Sequence, residues 1–258
     1  MAQRLVGWLL GISALLTSVH VFAREPPAEP GAPFQTVVEM ETTARLLAIL
    51  LDSGRAVINE NQDGLDRERA GRKRLTPAFF EQELIEVFRS RSGLDLRDLD
   101  TGRAPSHAKK LLPVLVAMSK EVVAQFPSGG DPHDGRATVL IPAVFGSRAA
   151  GLFSQATGVR LKQTSLSPRN PANSPDSFEK ATLEVFADPS YPREQSISEV
   201  TAKSRSLRLM YPLYTTRQCL ACHGGPKGEL DKTGYPREGL RLGQNAGAIS
   251  VMMPLGPQ

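Results

Sequence analysis

The chain has 258 residues and a hydrophobic content of 40%, so it can bury a substantial core as one large domain or two small ones. Its formal net charge is +4 at pH 7, or +3 without residues 1–23, which contain Arg4 and no acidic side chain. This excess is too small to predict a nucleic-acid partner. The one basic cluster, Arg67 to Arg74, is interrupted by Glu68 and Gly71, which is typical of a solvated loop.

Residues 1–23 have the pattern of an export signal. Arg4 supplies the positive start, Leu5 to Val19 is an apolar run, and Val21-Phe22-Ala23 offers small residues where a signal peptidase cuts. The apolar run is shorter than the roughly 20 residues that a spanning helix needs. The sequence therefore predicts a periplasmic protein with its signal peptide cleaved near Ala23. An uncleaved membrane anchor is the alternative.

A proline-rich extended leader is predicted over residues 24–35, followed by a single domain over residues 36–258. The domain should begin with a long helix, because one stripe of residues recurs at three- and four-residue steps: Val37, Met40, Ala44, Leu47, Leu51, Gly54 and Ile58. Packing of this stripe inside its own domain is the first interpretation. A coiled-coil seam, which would form a homodimer through the N-terminal helix, is the second.

The remaining pattern is helical in the first half and rich in strands in the second. Helices are predicted from Thr76-Pro77 to Gly93 and over residues 112–125, 143–156 and 178–186. Strands are predicted over residues 159–166, 207–214 and 246–255. This order predicts an α+β fold, with helices packed on one antiparallel sheet.

The most specific motif is Cys219-Leu220-Ala221-Cys222-His223, which reads C-x-x-C-H and contains the only two cysteines of the chain. Two thiols at this spacing can each add to a vinyl group of one haem, and the histidine is then held as an axial ligand. The motif predicts one covalent haem c attached to Cys219 and Cys222, with His223 as the metal ligand. A zinc or thiol-disulfide protein using the same residues is the alternative. It has no evident fourth zinc ligand, and no βαβ unit precedes the C-x-x-C.

Three further residues are candidate haem contacts. Arg169 stands in a stiff loop rich in proline and asparagine, where its guanidinium could pair with a haem propionate or remain an ordinary surface arginine. Tyr211 and Tyr214 precede the motif, where their rings could pack on the porphyrin or belong to the core.

Four stretches together resemble the family of exported c-type haem domains with a PAS-like fold, a domain of unknown function. They are residues 54–62, residues 164–176 with Arg169-Asn170-Pro171, residues 211–225 with the C-x-x-C-H motif, and residues 239–251 with Gly247-Ala248-Ile249-Ser250-Val251. The resemblance covers residues 36–255. It implies a PAS-like antiparallel sheet, a long N-terminal helix with flanking helices, and one covalent haem.

The chain departs from this family in the second axial ligand of the iron. Some relatives use a cysteine in the helix before the Arg-Asn-Pro loop, and this chain has none there. By chemistry the candidates are His107, His133, Met40, Met118, Met210, Met252 and Met253. The second axial position therefore has several candidates and no single assignment.

The sequence leads to two haem functions. The first is a redox or small-gas sensor, which needs an open or weakly held sixth position, and the second is a simple electron carrier. The chain ends three residues past Leu255 without a kinase or receptor segment, so a separate redox or signalling partner protein is expected. No catalytic motif predicts an enzyme, although an iron open on one side leaves room for peroxidase-like activity.

Overall fold

The computed structural model describes residues 32–61, 75–126, 140–201 and 205–255. The predicted signal peptide and most of the predicted leader lie outside these residues. The elements in chain order are α1 (Ala32–Glu60), α2 (Pro77–Ser92), α3 (Ser106–Ala124), α4 (Pro142–Thr157), β1 (Arg160–Thr164), α5 (Ser177–Phe186), β2 (Ile197–Thr201), β3 (Ser206–Tyr214), α6 (Leu220–His223) and β4 (Asn245–Pro254). Since α1 begins at Ala32, the last four residues of the predicted leader belong to this helix.

Helix α2 shows how the local sequence sets the helix boundaries. The Thr76 side chain accepts a hydrogen bond from the Phe79 amide at 3.2 Å, Pro77 begins the helix, and Gly93 ends it with a φ of 74°. Helix α3 starts at Ser106, earlier than the predicted residue 112, because Ala108 and Leu112 are both fully buried on its inner face. Pro113 therefore lies inside the helix and not near its start.

The sheet has four antiparallel strands in the order β1-β4-β3-β2. The α+β class is confirmed, and the PAS-like likeness stays a prediction. Strand β2 was not predicted, because Ile197–Thr201 is a half-exposed edge strand without clean alternation. The central strands β3 and β4 are joined by residues 215–244, which carry α6 and the C-x-x-C-H motif. The topology therefore places the motif at one end of the two central strands.

The two faces of the sheet carry different layers. Leu207 and Leu209 of β3 and Val251 of β4 point into the main core, which is shared with helices α1 to α4. Met210 and Ala248 point to the opposite face, where they pack under α5. The sheet thus has a four-helix layer on one side and the single helix α5 on the other.

Helix α1 runs through the centre of the helical layer. It contacts α2, α3, α4, β3 and β4, and its stripe residues Ala44, Leu47 and Leu51 have no exposed surface. The stripe is therefore unavailable to a second chain, and the predicted coiled-coil homodimer seam is wrong at these positions. Within the described ranges, no helix is long and apolar enough to cross a membrane.

Gly54 of α1 lies directly against the ring of Phe145 of α4. A methyl group at Gly54 would lie 2.7 Å from the buried ring of Phe145. We expect Gly54→Ala to destabilise the protein by about 1–2 kcal/mol, because overpacking outweighs the gain in helix propensity. Gly151→Ala in α4 is the matched control, since nothing lies within 4 Å of its added methyl group. That variant should gain about 0.5–1 kcal/mol in urea unfolding. An equal gain at both glycines would contradict the packing of Phe145 on Gly54.

Candidate functional site

The connection between β3 and β4 is closed at its base by Thr215. The amide of Thr215 donates to the carbonyl of Gln244 at 2.9 Å, and its carbonyl accepts from the amide of Gly243 at 2.9 Å. Thr215 is only 3% exposed, and its hydroxyl donates to the carbonyl of Arg241. The loop that carries the motif therefore leaves and re-enters the sheet at one fixed point.

Both thiols of the motif lie on one helical turn. Cys219 directly precedes α6, and Cys222 lies within it. Cys219 and Cys222 are free and partly exposed, and the Cys219 Sγ lies 3.2 Å from the Thr216 hydroxyl. Burial raises the pKa of the Cys222 thiol, and the nearby carboxylate of Asp231 raises it further. The two sulfurs are thus partly exposed on one short helical segment, and neither is engaged in a disulfide.

His223 has one ring nitrogen engaged and the other free for a ligand. Its Nδ1 lies 2.8 Å from Oε2 of Glu238, and its side chain is 39% exposed. Hydrogen bonds from the amide of His223 to the Cys219 carbonyl at 2.9 Å and from Leu240 to the His223 carbonyl at 2.7 Å fix its backbone. A carboxylate only accepts, so Nδ1 donates in this hydrogen bond, and in the neutral ring the lone pair lies on Nε2.

Arg169 lies beside the motif, and its described donors contact protein groups. Nε and Nη2 donate to the two oxygens of Glu238 at 2.7 and 3.0 Å, and Nη1 donates to Oδ2 of Asp231 at 2.6 Å. Nη2 also donates to the Cys222 carbonyl at 3.0 Å. The guanidinium therefore connects three parts of the site. In the described contacts it pairs with carboxylates of the chain, where a haem propionate was predicted.

Asp231 and Glu238 are site residues that the sequence analysis missed. Burial alone would raise the pKa of each, but for Asp231 hydrogen bonds from Thr233, Arg169 and the Tyr235 amide outweigh burial and hold the pKa well below its usual range. For Glu238, hydrogen bonds from Arg169 and His223 hold the pKa below its usual value. One signal in the sequence could have found them. Only three acidic residues lie between the motif and β4, so few carboxylates of this connection could pair with the arginine of the facing loop.

The depressed pKa of Asp231 makes site stability depend on pH. A carboxyl group whose folded pKa is depressed contributes stability above its unfolded pKa, about 4, and that contribution is lost as the pH falls toward the folded pKa. We expect Asp231→Asn to cost about 2 kcal/mol at pH 7, because the side chain is fully buried against Arg169. The difference from wild type should shrink between about pH 5 and pH 2.

Urea unfolding at a series of pH values measures this effect of Asp231. Glu229→Gln is the control, since Glu229 is an exposed carboxylate of the same connection. A cost of Asp231→Asn that stays constant from pH 7 to pH 2 would contradict the role assigned to its charge.

The two predicted tyrosine contacts lie on opposite faces of β3. Tyr211 packs against the main core, where burial raises its pKa and Asp52 of α1 raises it further. Tyr214 lies on the opposite face at the end of β3, with the guanidinium of Arg193 5.7 Å from its ring centroid. Since residues three apart in a strand point in opposite directions, the two rings face different sides of the sheet. Of the two, Tyr214 is the one next to the motif.

The described candidates for the second axial ligand lie on regular elements. Met40 is buried in α1, and His107 and Met118 lie on α3. Met210 lies under α5, Met253 points into the main core, and Met252 lies on β4 opposite Arg208 of β3. His133 lies outside the described residues. Each described candidate is therefore placed on a helix or a strand and not in the loops around the motif.

The β3–β4 connection and the loop with Arg169 carry exposed apolar side chains. Leu230, Tyr235 and Leu242 of the β3–β4 connection are 68%, 50% and 58% exposed, and Leu166 of the loop with Arg169 is 47% exposed. A flat apolar ligand would cover surface that otherwise contacts water. Together with two free thiols and an available imidazole nitrogen, these residues fit a haem. Among the side chains that the structure describes, no group of three or more His, Cys, Asp or Glu is placed to hold a metal ion directly.

Comparison with known proteins gives one family and one solved structure. The Tll0287-like family model matches residues 35–254 of the chain. The chain is also similar to the crystal structure of the cyanobacterial heme-protein Tll0287, with a TM-score of 0.40 and 20% identity over 60% of this chain and 98% of that chain. No curated protein matches the chain. The family match spans nearly all of the described elements.

Proposed function

The chain belongs to the Tll0287-like family, and we propose that it is a haem-binding protein whose haem is held at Cys219 to His223. The namesake of the family is a cyanobacterial heme-protein. The observation that carries the proposal is the motif itself: two free thiols and a histidine on one helical turn, with Nε2 of His223 left to bind the haem iron.

We further propose that the attachment is covalent and that the cofactor is haem c. Each thiol S–H adds across a vinyl double bond, the sulfur to one carbon and the hydrogen to the other, so no atom is lost. Cys219 and Cys222 supply the sulfurs, and both are partly exposed. His223 supplies the nitrogen ligand, and Leu230 and Leu242 supply apolar surface on the same connection. The haem, when bound, supplies the redox-active iron.

The proposed role is a redox or small-gas sensor in the periplasm, working through a separate redox or signalling partner protein. A sensor of a gas needs a sixth position that a small molecule can enter. None of the described histidine or methionine candidates for the second ligand lies in the loops around the motif. The export pattern of residues 1–23 supports the periplasmic location. The proposal includes no enzymatic step.

A simple electron carrier is the second candidate function, and spectroscopy separates it from the sensor. The chain is expressed with haem-attachment machinery, and visible spectra of the oxidised and reduced forms are recorded with and without carbon monoxide. Rapid carbon monoxide binding supports sensing. A six-coordinate spectrum that carbon monoxide does not change supports electron transfer and contradicts the gas sensor.

The thiol-disulfide alternative has less support from the site. A thioredoxin-type C-x-x-C belongs to a βαβ unit with parallel strands. The described sheet is antiparallel throughout. The zinc alternative requires a fourth ligand beside Cys219, Cys222 and His223, and among the described residues Glu238 contacts His223 at the ring nitrogen opposite to the free one.

A further inference from the structure

His223 is the first of a series of charged contacts that is formed by residues outside the C-x-x-C-H motif. Oε2 of Glu238 lies 2.8 Å from Nδ1 of His223, and both oxygens of Glu238 accept from Arg169. We propose that Glu238 is a positioning residue that orients His223 for the iron and lowers the reduction potential of the haem. This inference rests on the proposed haem function.

The hydrogen bond decides which ring nitrogen of His223 is available. Donation of Nδ1–H to Glu238 fixes the tautomer with the lone pair on Nε2, and it also fixes the rotation of the ring. Histidines that ligate metals usually donate their second N–H to a carboxylate or a carbonyl, which raises the basicity of the ligating nitrogen. In this site the acceptor is a full carboxylate and not a backbone carbonyl.

Glu238 is itself held from the far side. Arg169 binds it through two parallel hydrogen bonds, a geometry that a guanidinium and a carboxylate share. The third guanidinium nitrogen of Arg169, Nη1, binds Asp231. The side chain of Asp231 is fully buried and accepts from the Thr233 amide at 2.7 Å. Because Arg169 comes from the loop after β1, that loop fixes the orientation of His223 through Glu238.

Arg169 also acts on the backbone next to His223. Its Nη2 donates to the carbonyl of Cys222, the residue directly before the histidine. The same guanidinium thus fixes the main chain of the motif and the acceptor of the histidine side chain. A side chain restrained at both its backbone and its ring has little freedom to turn away from a ligand.

A negative charge on the acceptor of an axial histidine favours the ferric state over the ferrous state, because the ferric iron carries one more positive charge. Hydrogen bonding around the ligand is one of the means by which a protein sets a haem potential. Removing the charge of Glu238 should therefore make reduction easier.

The test is the midpoint potential of the haem-loaded protein. Glu238→Gln is expected to shift the ferric–ferrous equilibrium about tenfold toward ferrous, an upward shift of about 59 mV for a one-electron couple. Glu229→Gln is the matched control, because it removes an exposed carboxylate from the same connection without a contact to His223. Its effect should stay below about threefold, since water and salt screen exposed charges.

Equal shifts in the two variants, or no shift in Glu238→Gln, would overturn the inference while leaving the haem assignment intact. Failure of the wild-type chain to hold haem would instead overturn the proposed function. If Glu238→Gln does not acquire haem, Glu238→Asp provides the test, since the shorter side chain keeps the charge and breaks the 2.8 Å contact. If the midpoint potential of Glu238→Asp rises by more than that of Glu229→Gln, the inference is supported. A midpoint potential equal to that of the wild type contradicts it.

Discussion

A Cys219→Ala, Cys222→Ala double variant is expected to contain no covalently bound haem, against one per chain in the wild type. The chain has no other cysteine, so no sulfur remains to form a thioether bond. The measurement is the haem that stays with the protein after acid–organic extraction. Any haem bound only through His223 should be extracted.

Two controls make the cysteine experiment specific. Each single cysteine variant should keep its haem through the one remaining thioether bond. Thr216→Ala removes the hydroxyl 3.2 Å from the Cys219 Sγ and leaves both thiols, so its haem content should equal that of the wild type. Haem that resists extraction from the double variant would contradict attachment at this motif.

Arg169→Ala is expected to lower the free energy of unfolding by about 3 kcal/mol, the second largest effect. The substitution leaves Asp231, whose side chain has no exposed surface, and Glu238, whose side chain is 28% exposed, without their shared cation. A buried charge that loses its partner keeps the full cost of its removal from water. Urea unfolding of the haem-loaded protein at pH 7 measures the loss.

Two further variants separate charge from geometry at Arg169. Arg169→Lys keeps the charge but cannot bind both oxygens of Glu238, so its stability should fall between those of the wild type and Arg169→Ala. Arg241→Ala removes an exposed arginine of the β3–β4 connection and should change stability by less than about 0.5 kcal/mol. Equal losses in Arg169→Ala and Arg241→Ala would contradict the network.

Local patterns in the sequence predicted most of the fold. Helix α2 could be placed because Thr76, Pro77 and Gly93 act on neighbouring backbone groups. Strands β3 and β4 could be placed because their two faces meet different environments. Strand β2 could not, since an edge strand with one neighbour and half-exposed side chains carries little periodicity.

The candidate site was predicted only where the motif is contiguous. Cys219 to His223 could be identified because the chemistry depends on spacing along the chain. Glu238 and Asp231 could not be paired with Arg169, since more than sixty residues separate them and only the folded β3–β4 connection brings them together. Tyr211 was predicted beside the haem because it is near in sequence, while the alternation of β3 turns it into the core.

Intact-mass measurement of the exported wild-type protein tests the proposed haem attachment most directly. The chain is produced with haem-attachment machinery, recovered from the periplasm, and weighed after acid–organic extraction. We expect the mass of the chain cleaved near Ala23 plus that of one haem. A colourless chain at the mass of the polypeptide alone, with all haem in the organic phase, would contradict covalent attachment at Cys219 and Cys222.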